Sequence, residues 1–205
     1  LVVKIPQEYM DELEWTVHAL QNFGTLTKPP APEYHGFLGS TTNATLVLLG
    51  QCIQLAGGTF ELTDGFSTNH WQSVVNVIHR SYYSSLQMVV EAMCDGFCRS
   101  REQQVVSSTP ERKPGFMDHI NSALKASRLA NDRKTIWRQY FDGLRILRNK
   151  NSHFDAKFSE HEVKVLTKAG LTEHISPAGL IQTRPANYVP LAKSALDFIH
   201  ELERN

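Results

Sequence analysis

Residues 136–155 read IWRQYFDGLRILRNKNSHFD, and their pattern decides the fold class. Ile136, Tyr140, Phe141, Leu144 and Leu147 recur at steps of three and four, so they line one face of a helix that starts near Thr135. The stripe should continue through Arg148 and Asn151, and at both positions it turns polar. A buried face whose last turn carries Arg, Asn, Ser and His has either reached solvent or built a polar pocket.

Geometry sharpens that choice. On a straight helix Arg148 and His153 are separated by about 140° of rotation and about 7.5 Å of rise, so their side chains diverge. They meet on one small anion only if the helix ends or bends near Asn151, or if two chains each supply a copy. Asn151 and Ser152 bond local backbone readily and suit a helix end.

The run Arg148-Asn149-Lys150-Asn151-Ser152-His153, closing an amphipathic helix, resembles the signature of the HEPN superfamily: Arg, a polar residue that is often Asn, a few more residues, then His. Arg80-Ser81-Tyr82-Tyr83 adds a looser likeness to an Arg-x-Tyr-Tyr feature of some members. Together the likenesses cover roughly His70 to Gly170. The resemblance implies a HEPN-like helical bundle and a homodimer in which the Arg and His of two subunits form one composite site. It further implies a metal-independent endoribonuclease, without cofactor, of the kind found in toxin–antitoxin and phage-defence systems. Carried over residue by residue, Arg148, Asn149 and His153 are the catalytic candidates, and an antitoxin protein is a possible companion. Arg112 and His119 share the spacing, but Arg112 stands in a connector rich in Pro and Lys, and that pair reads as chance.

The rest of the chain sets the frame. Its 205 residues suit one domain over 1–205, with a core about 70–170 and further helices packed on it. Hydrophobic residues make up 41% and charged ones 20%, with no low-complexity tract, as in a globular protein. Lys+Arg and Asp+Glu both number 21, so no global field draws in nucleic acid or an anionic membrane. RNA binding must then be local, and Arg145, Lys150 and Asn151 beside the motif are the RNA-binding candidates. No apolar run approaches the roughly 18 residues of a membrane span, and no signal peptide is visible, so a cytoplasmic location is expected. Cys52, Cys94 and Cys98 form no zinc-like quartet and read as buried thiols. On the same compartment argument the sequon Asn43-Ala44-Thr45 is set aside.

In chain order, helices are expected over 6–23 and 41–56, separated by the Pro-rich connector 24–40. Residues 70–97 form the longest periodic run, with Trp71, Val74, Ile78, Tyr82, Leu86, Val89, Met93 and Phe97 in register. Arg99 to Pro114 reads as a disordered or partner-sensitive loop. A helix from Phe116 to about Arg128 precedes the motif helix. Gly143 in the middle of that helix costs about 1 kcal/mol relative to Ala and could let another backbone approach closely, which suits a dimer seam but does not demand one. Ser159 and Glu162 fit a capping box, Gly170 closes that helix, and Pro190 begins the last one. No period-two strand is present. The expectation is an all-α, up-and-down helical bundle of about six to seven helices, with 70–97 and 135–150 packed antiparallel at its centre.

The chemistry open to the motif follows from its residue types. A neutral-range histidine can move protons to and from ribose and leaving-group oxygens, and a guanidinium offers a bidentate fork to phosphate. Asn149 could orient the histidine or hold phosphate without adding charge. Cleavage would leave a 2′,3′-cyclic phosphate and a 5′-OH. Without the resemblance, Arg148 would simply cap the last carbonyls of its helix and His153 would lie in solvent. His153, Asp155, His161 and Glu162 supply ligand types for a metal hydrolase, but their spacing follows no compact motif. Glycine-rich phosphate loops and serine nucleophile elbows are absent. The alternative outside enzymology is a HEPN-like bundle that binds RNA, a nucleotide or a protein without cutting.

Overall fold

The computed structural model describes Asp11 and residues 70–109, 111–151, 157–182 and 187–204; along 70–81, and at Val189 and Leu196, it describes the backbone course alone. The expected helices over 6–23 and 41–56, the 24–40 connector, Cys52 and His153 all fall outside these residues, apart from Asp11, which is helical. Among the described residues the class is all-α: five further helices, one 3₁₀ turn and no strand beyond the isolated bridge Ile175–Ile181. None of the described helices is long and apolar enough to cross a membrane.

Helix α1, His70–Ser100, is 31 residues long and exceeds the expected run by three at its end. It buries two adjoining stripes: Tyr82, Leu86, Val89, Met93 and Phe97 along one, Tyr83, Val90, Cys94 and Cys98 along the other. A helix buried on so broad a face must be covered by several elements. Cys94 and Cys98 are free thiols in that core, and burial raises both above their ordinary range, more so for Cys94. Neither is a nucleophile at neutral pH.

Helix α2, Phe116–Ala126, follows the 101–115 segment. The sequence reads Arg99 to Pro114 as a disordered or partner-sensitive loop; beyond the end of α1 the described residues do form a loop, and it is tied down by one buried carboxylate. Asp118, only 5% exposed, accepts from the Gly115 amide at 2.8 Å and the Ser108 amide at 3.1 Å and faces the Arg112 guanidinium at 3.3 Å. Those bonds, led by Gly115, hold its carboxyl below the usual range against the effect of burial. A local polar count predicts disorder; a single inward acid able to satisfy several donors reverses it.

Helix α3, Asn131–Asn151, contains the motif. Its inward residues are Trp137, Phe141, Leu144, Ile146 and Leu147, whereas Ile136 is 48% exposed. Trp137 therefore takes the inward place that periodicity assigned to Ile136, because its larger surface yields more on burial and its indole N–H finds a partner there. Helix α4, Glu160–Ala169, begins with the expected capping box, with the Glu162 amide donating to Ser159 Oγ and the Ser159 amide to Glu162 Oε2 at 2.7 Å. It closes at Gly170, whose φ of 71° lies in the left-handed region.

α3 and α4 form an antiparallel hairpin: Lys150 pairs with Glu162 near the corner, and Gly143 lies against Leu166, Ala169 and Leu171 farther along. A Cβ on Gly143 would stand 2.7 Å from that of Ala169. What Gly143 admits is thus the chain's own: side chains of α4 and of Leu171 just beyond it. The expected pairing of α1 with α3 is met only in part: they touch, but α1 lies most broadly on α2, and α3 on α4.

After the 3₁₀ turn Thr172–His174 and the bridged turn through Gly179, helix α5 spans Tyr188–Arg204, beginning two residues before Pro190. It runs antiparallel to α3, with Tyr140 hydrogen-bonded to Ser194 and Phe198 against both Trp137 and Phe141. Nearer its end Glu201 accepts from the Trp137 indole at 2.9 Å and is paired with the Arg133 guanidinium.

Candidate functional site

The motif lies where α3 turns into α4. The chain must reverse between Asn151 and Glu160 for the two helices to form their hairpin, so Arg148 to Asn151 closes α3 at the approach to that reversal, and His153 lies outside the described residues. Arg148 and Asn149 are both solvent-exposed in the last described turn of α3, and an Arg148 N–H donates to Asn149 Oδ1 at 3.4 Å. That contact is long, and it places the amide beside the guanidinium.

The three residues assigned to RNA binding differ in their surroundings. Arg145 is half-buried and donates twice to Asp142 Oδ1, at 2.9 and 2.7 Å. Lys150 is turned along the protein: its ammonium donates to the Lys157 carbonyl at 2.8 Å, lies 3.0 Å from Glu162 Oε2, and stands 5.7 Å from the Phe158 ring centre. Asn151 is 7% exposed, and its Nδ2 is buried without a hydrogen-bond partner. Arg148 and Asn149 therefore face solvent, Arg145 and Lys150 face carboxylates of their own chain, and Asn151 faces inward.

Charge around the corner is paired in part. Arg138, Arg145 and Asn149 fall near one line of α3, with Arg148 about 60–100° to the side. Arg138 donates to Asn121 of α2 at 2.9 Å, and Asp142 shares the ridge with Arg145. Glu162 keeps its carboxylate below the usual range: burial works against ionisation, but the Ser159 amide and hydroxyl and the Lys150 ammonium outweigh it. The pair Arg112 and His119 is not brought together as a site, since Arg112 serves Asp118 and the buried His119 Nδ1 has no hydrogen-bond partner.

A second polar centre escaped the sequence reading. His174, 1% exposed, contacts the Tyr83 hydroxyl through Nδ1 at 2.9 Å and the Glu173 carboxylate through Nε2 at 3.5 Å, while the Asn187 amide reaches Nδ1 at 3.5 Å. Tyr83 and Asn187 can both donate, so a proton on Nε2 satisfies all three neighbours. Burial lowers the His174 pKa from 6.5 to about 4 and raises that of Tyr83 well above 10. Neutral tyrosine and neutral histidine in a closed core are an anchor between α1 and the start of α5, without access for a substrate. Only the tertiary fold joins positions 83, 174 and 187, so no local motif announces them.

Among the described residues no group of three or more His, Cys, Asp or Glu side chains is placed to hold a metal ion. No protein-family model, no curated protein and no solved structure matches this chain.

Proposed function

We propose that the chain is a metal-independent endoribonuclease of HEPN type, acting as a homodimer and serving as a toxin or phage-defence effector. The observation that carries this reading is the exposure of Arg148 and Asn149, side by side, at the corner whose sequence continues to His153. Arg148 clamps the scissile phosphate, and Asn149 adds a neutral donor beside it. One copy of His153 takes the proton of the ribose 2′-OH, and the second copy delivers a proton to the departing 5′-oxygen. The 2′-oxygen attacks phosphorus, the bond to the 5′-oxygen breaks, and the products are a 2′,3′-cyclic phosphate and a 5′-OH.

A second reading has its own support. Arg145 faces Asp142 and Lys150 faces Glu162, which lowers the positive field that a long polyanion requires. A HEPN-like bundle that binds RNA, a nucleotide or a protein without cutting would tolerate such balance.

Cleavage of total and defined RNA by the full chain in EDTA separates the two. Cuts with cyclic-phosphate ends support the nuclease. Binding without cuts, for the chain alone and after removal of any co-purifying protein, establishes the binding module in its place.

A further inference from the structure

Lys150 holds together parts of the chain that lie on both sides of the corner. It belongs to the last turn of α3, and its side chain is 16% exposed. Among the described residues its side-chain partners lie beyond 152–156: the carbonyl of Lys157, the ring of Phe158 and the carboxylate of Glu162 in the first turn of α4. Each of these is itself fixed. Phe158 is 9% exposed and donates its amide to the Gly179 carbonyl at 2.9 Å. Glu162 also accepts from the Ser159 amide and hydroxyl, at 2.7 and 2.9 Å.

An extended chain from Asn151 to Lys157 could span about 20 Å. The Lys150 contacts shorten that span and fix the two ends against each other. A lysine that reaches phosphate must instead present a solvated ammonium. Withdrawing Lys150 to do so would take the ion pair from a part-buried carboxylate, leaving it only the Ser159 amide and hydroxyl.

We infer that Lys150 is a positioning residue: its ammonium, bonded to Lys157 and Glu162, pins the end of α3 to the start of α4 and sets the frame in which the corner presents Arg148. As far as it concerns catalysis, this rests on the nuclease reading above; as a statement about the corner, it stands alone.

The test uses the full chain and two variants, Lys150→Met, which keeps the stem and removes the ammonium, and Glu162→Gln, which keeps a capping acceptor and removes the charge. Circular dichroism confirms that each folds, and Glu162→Gln alone suffices if Lys150→Met does not. Amide hydrogen exchange without RNA is the first readout. Both variants should exchange about tenfold or more faster over 150–158, with α1 and α5 unchanged, as local opening predicts. Unchanged exchange in that segment overturns the proposal, whether or not the protein cuts RNA.

The second readout is cleavage kinetics. A misplaced clamp lowers kcat by about 10- to 100-fold, with KM within about twofold and the salt slope of RNA binding unaltered. A lysine on phosphate gives the opposite pattern. Lys150→Met would then raise KM and flatten the salt slope by about one, and Glu162→Gln would leave the rate intact or tighten binding. That pattern also overturns the proposal. If the wild type cuts nothing, the nuclease reading fails, and hydrogen exchange alone decides the role of Lys150.

Discussion

At the scale of single residues, His174 and the pair Arg148–His153 make different demands on their surroundings. His174 is neutral because it is buried, and acid must charge it before it can be solvated. The sign follows directly: between pH 6.5 and about 4 the unfolded chain binds this proton and the folded chain does not, so stability falls as pH drops through that window. A shift of this size corresponds to about 3 kcal/mol when fully expressed. Replacing it, as His174→Gln, should flatten the pH dependence of the melting temperature between about pH 6.5 and 4.5, above the range where Asp118, Glu162 and Glu201 titrate. An unaltered slope would mean that another group carries the acid sensitivity. Arg148 and Asn149 stand in solvent and carry little of the core. Under the nuclease reading, His153→Ala should cost about 10²–10⁴ in cleavage rate. Arg148→Lys should fail as well, since an ammonium keeps the charge but loses the bidentate fork. Equal cutting by wild type and His153→Ala would locate the activity elsewhere.

At the scale of elements, the α3–α4 hairpin depends on the absence of one methyl group. Gly143→Ala gains about 1 kcal/mol of helix propensity, yet its Cβ would stand 2.7 Å from Ala169 Cβ and 3.0 Å from Leu171 Cδ1. Overpacking of this kind costs about 1–3 kcal/mol, so the variant should melt lower, as thermal denaturation would record. Ala169→Gly in the same background removes the closer of the two clashes and should restore part of the loss. Sequence alone marked Gly143 as a point of close approach that suits a dimer seam without demanding one, and the neighbour that approaches is the chain's own α4. The capping box at Ser159 and Glu162 and the stop at Gly170 were legible because each is set within four residues. Lys150–Glu162 was not, since a bond over twelve residues depends on how the corner closes. Ile136 and Trp137 show the same limit: periodicity alone cannot decide between neighbours when a distant acceptor, Glu201, favours one of them.

At the scale of the whole molecule, the all-α class was readable because every described helix carries its own apolar stripe. The homodimer rests on the resemblance alone, since a site shared between two copies would leave the same mark in a single sequence. A composite site predicts twice the chain mass by light scattering at micromolar concentration, and a monomer that cuts RNA would exclude a site shared between subunits. The hold of Glu201 on Arg133 and Trp137 joins positions 68 and 64 residues apart, which is a matter of time as well as of space. During synthesis α3 leaves the ribosome long before Phe198 and Glu201 exist to cover Trp137 and Phe141. For that interval the nascent chain carries an open aromatic face, a target for chaperones and a route to aggregation. Non-local closure of this kind also slows folding. The last helix therefore acts as the clasp of the nascent fold, and a ribosome that stalls ahead of it would release a sticky chain rather than a smaller version of this protein.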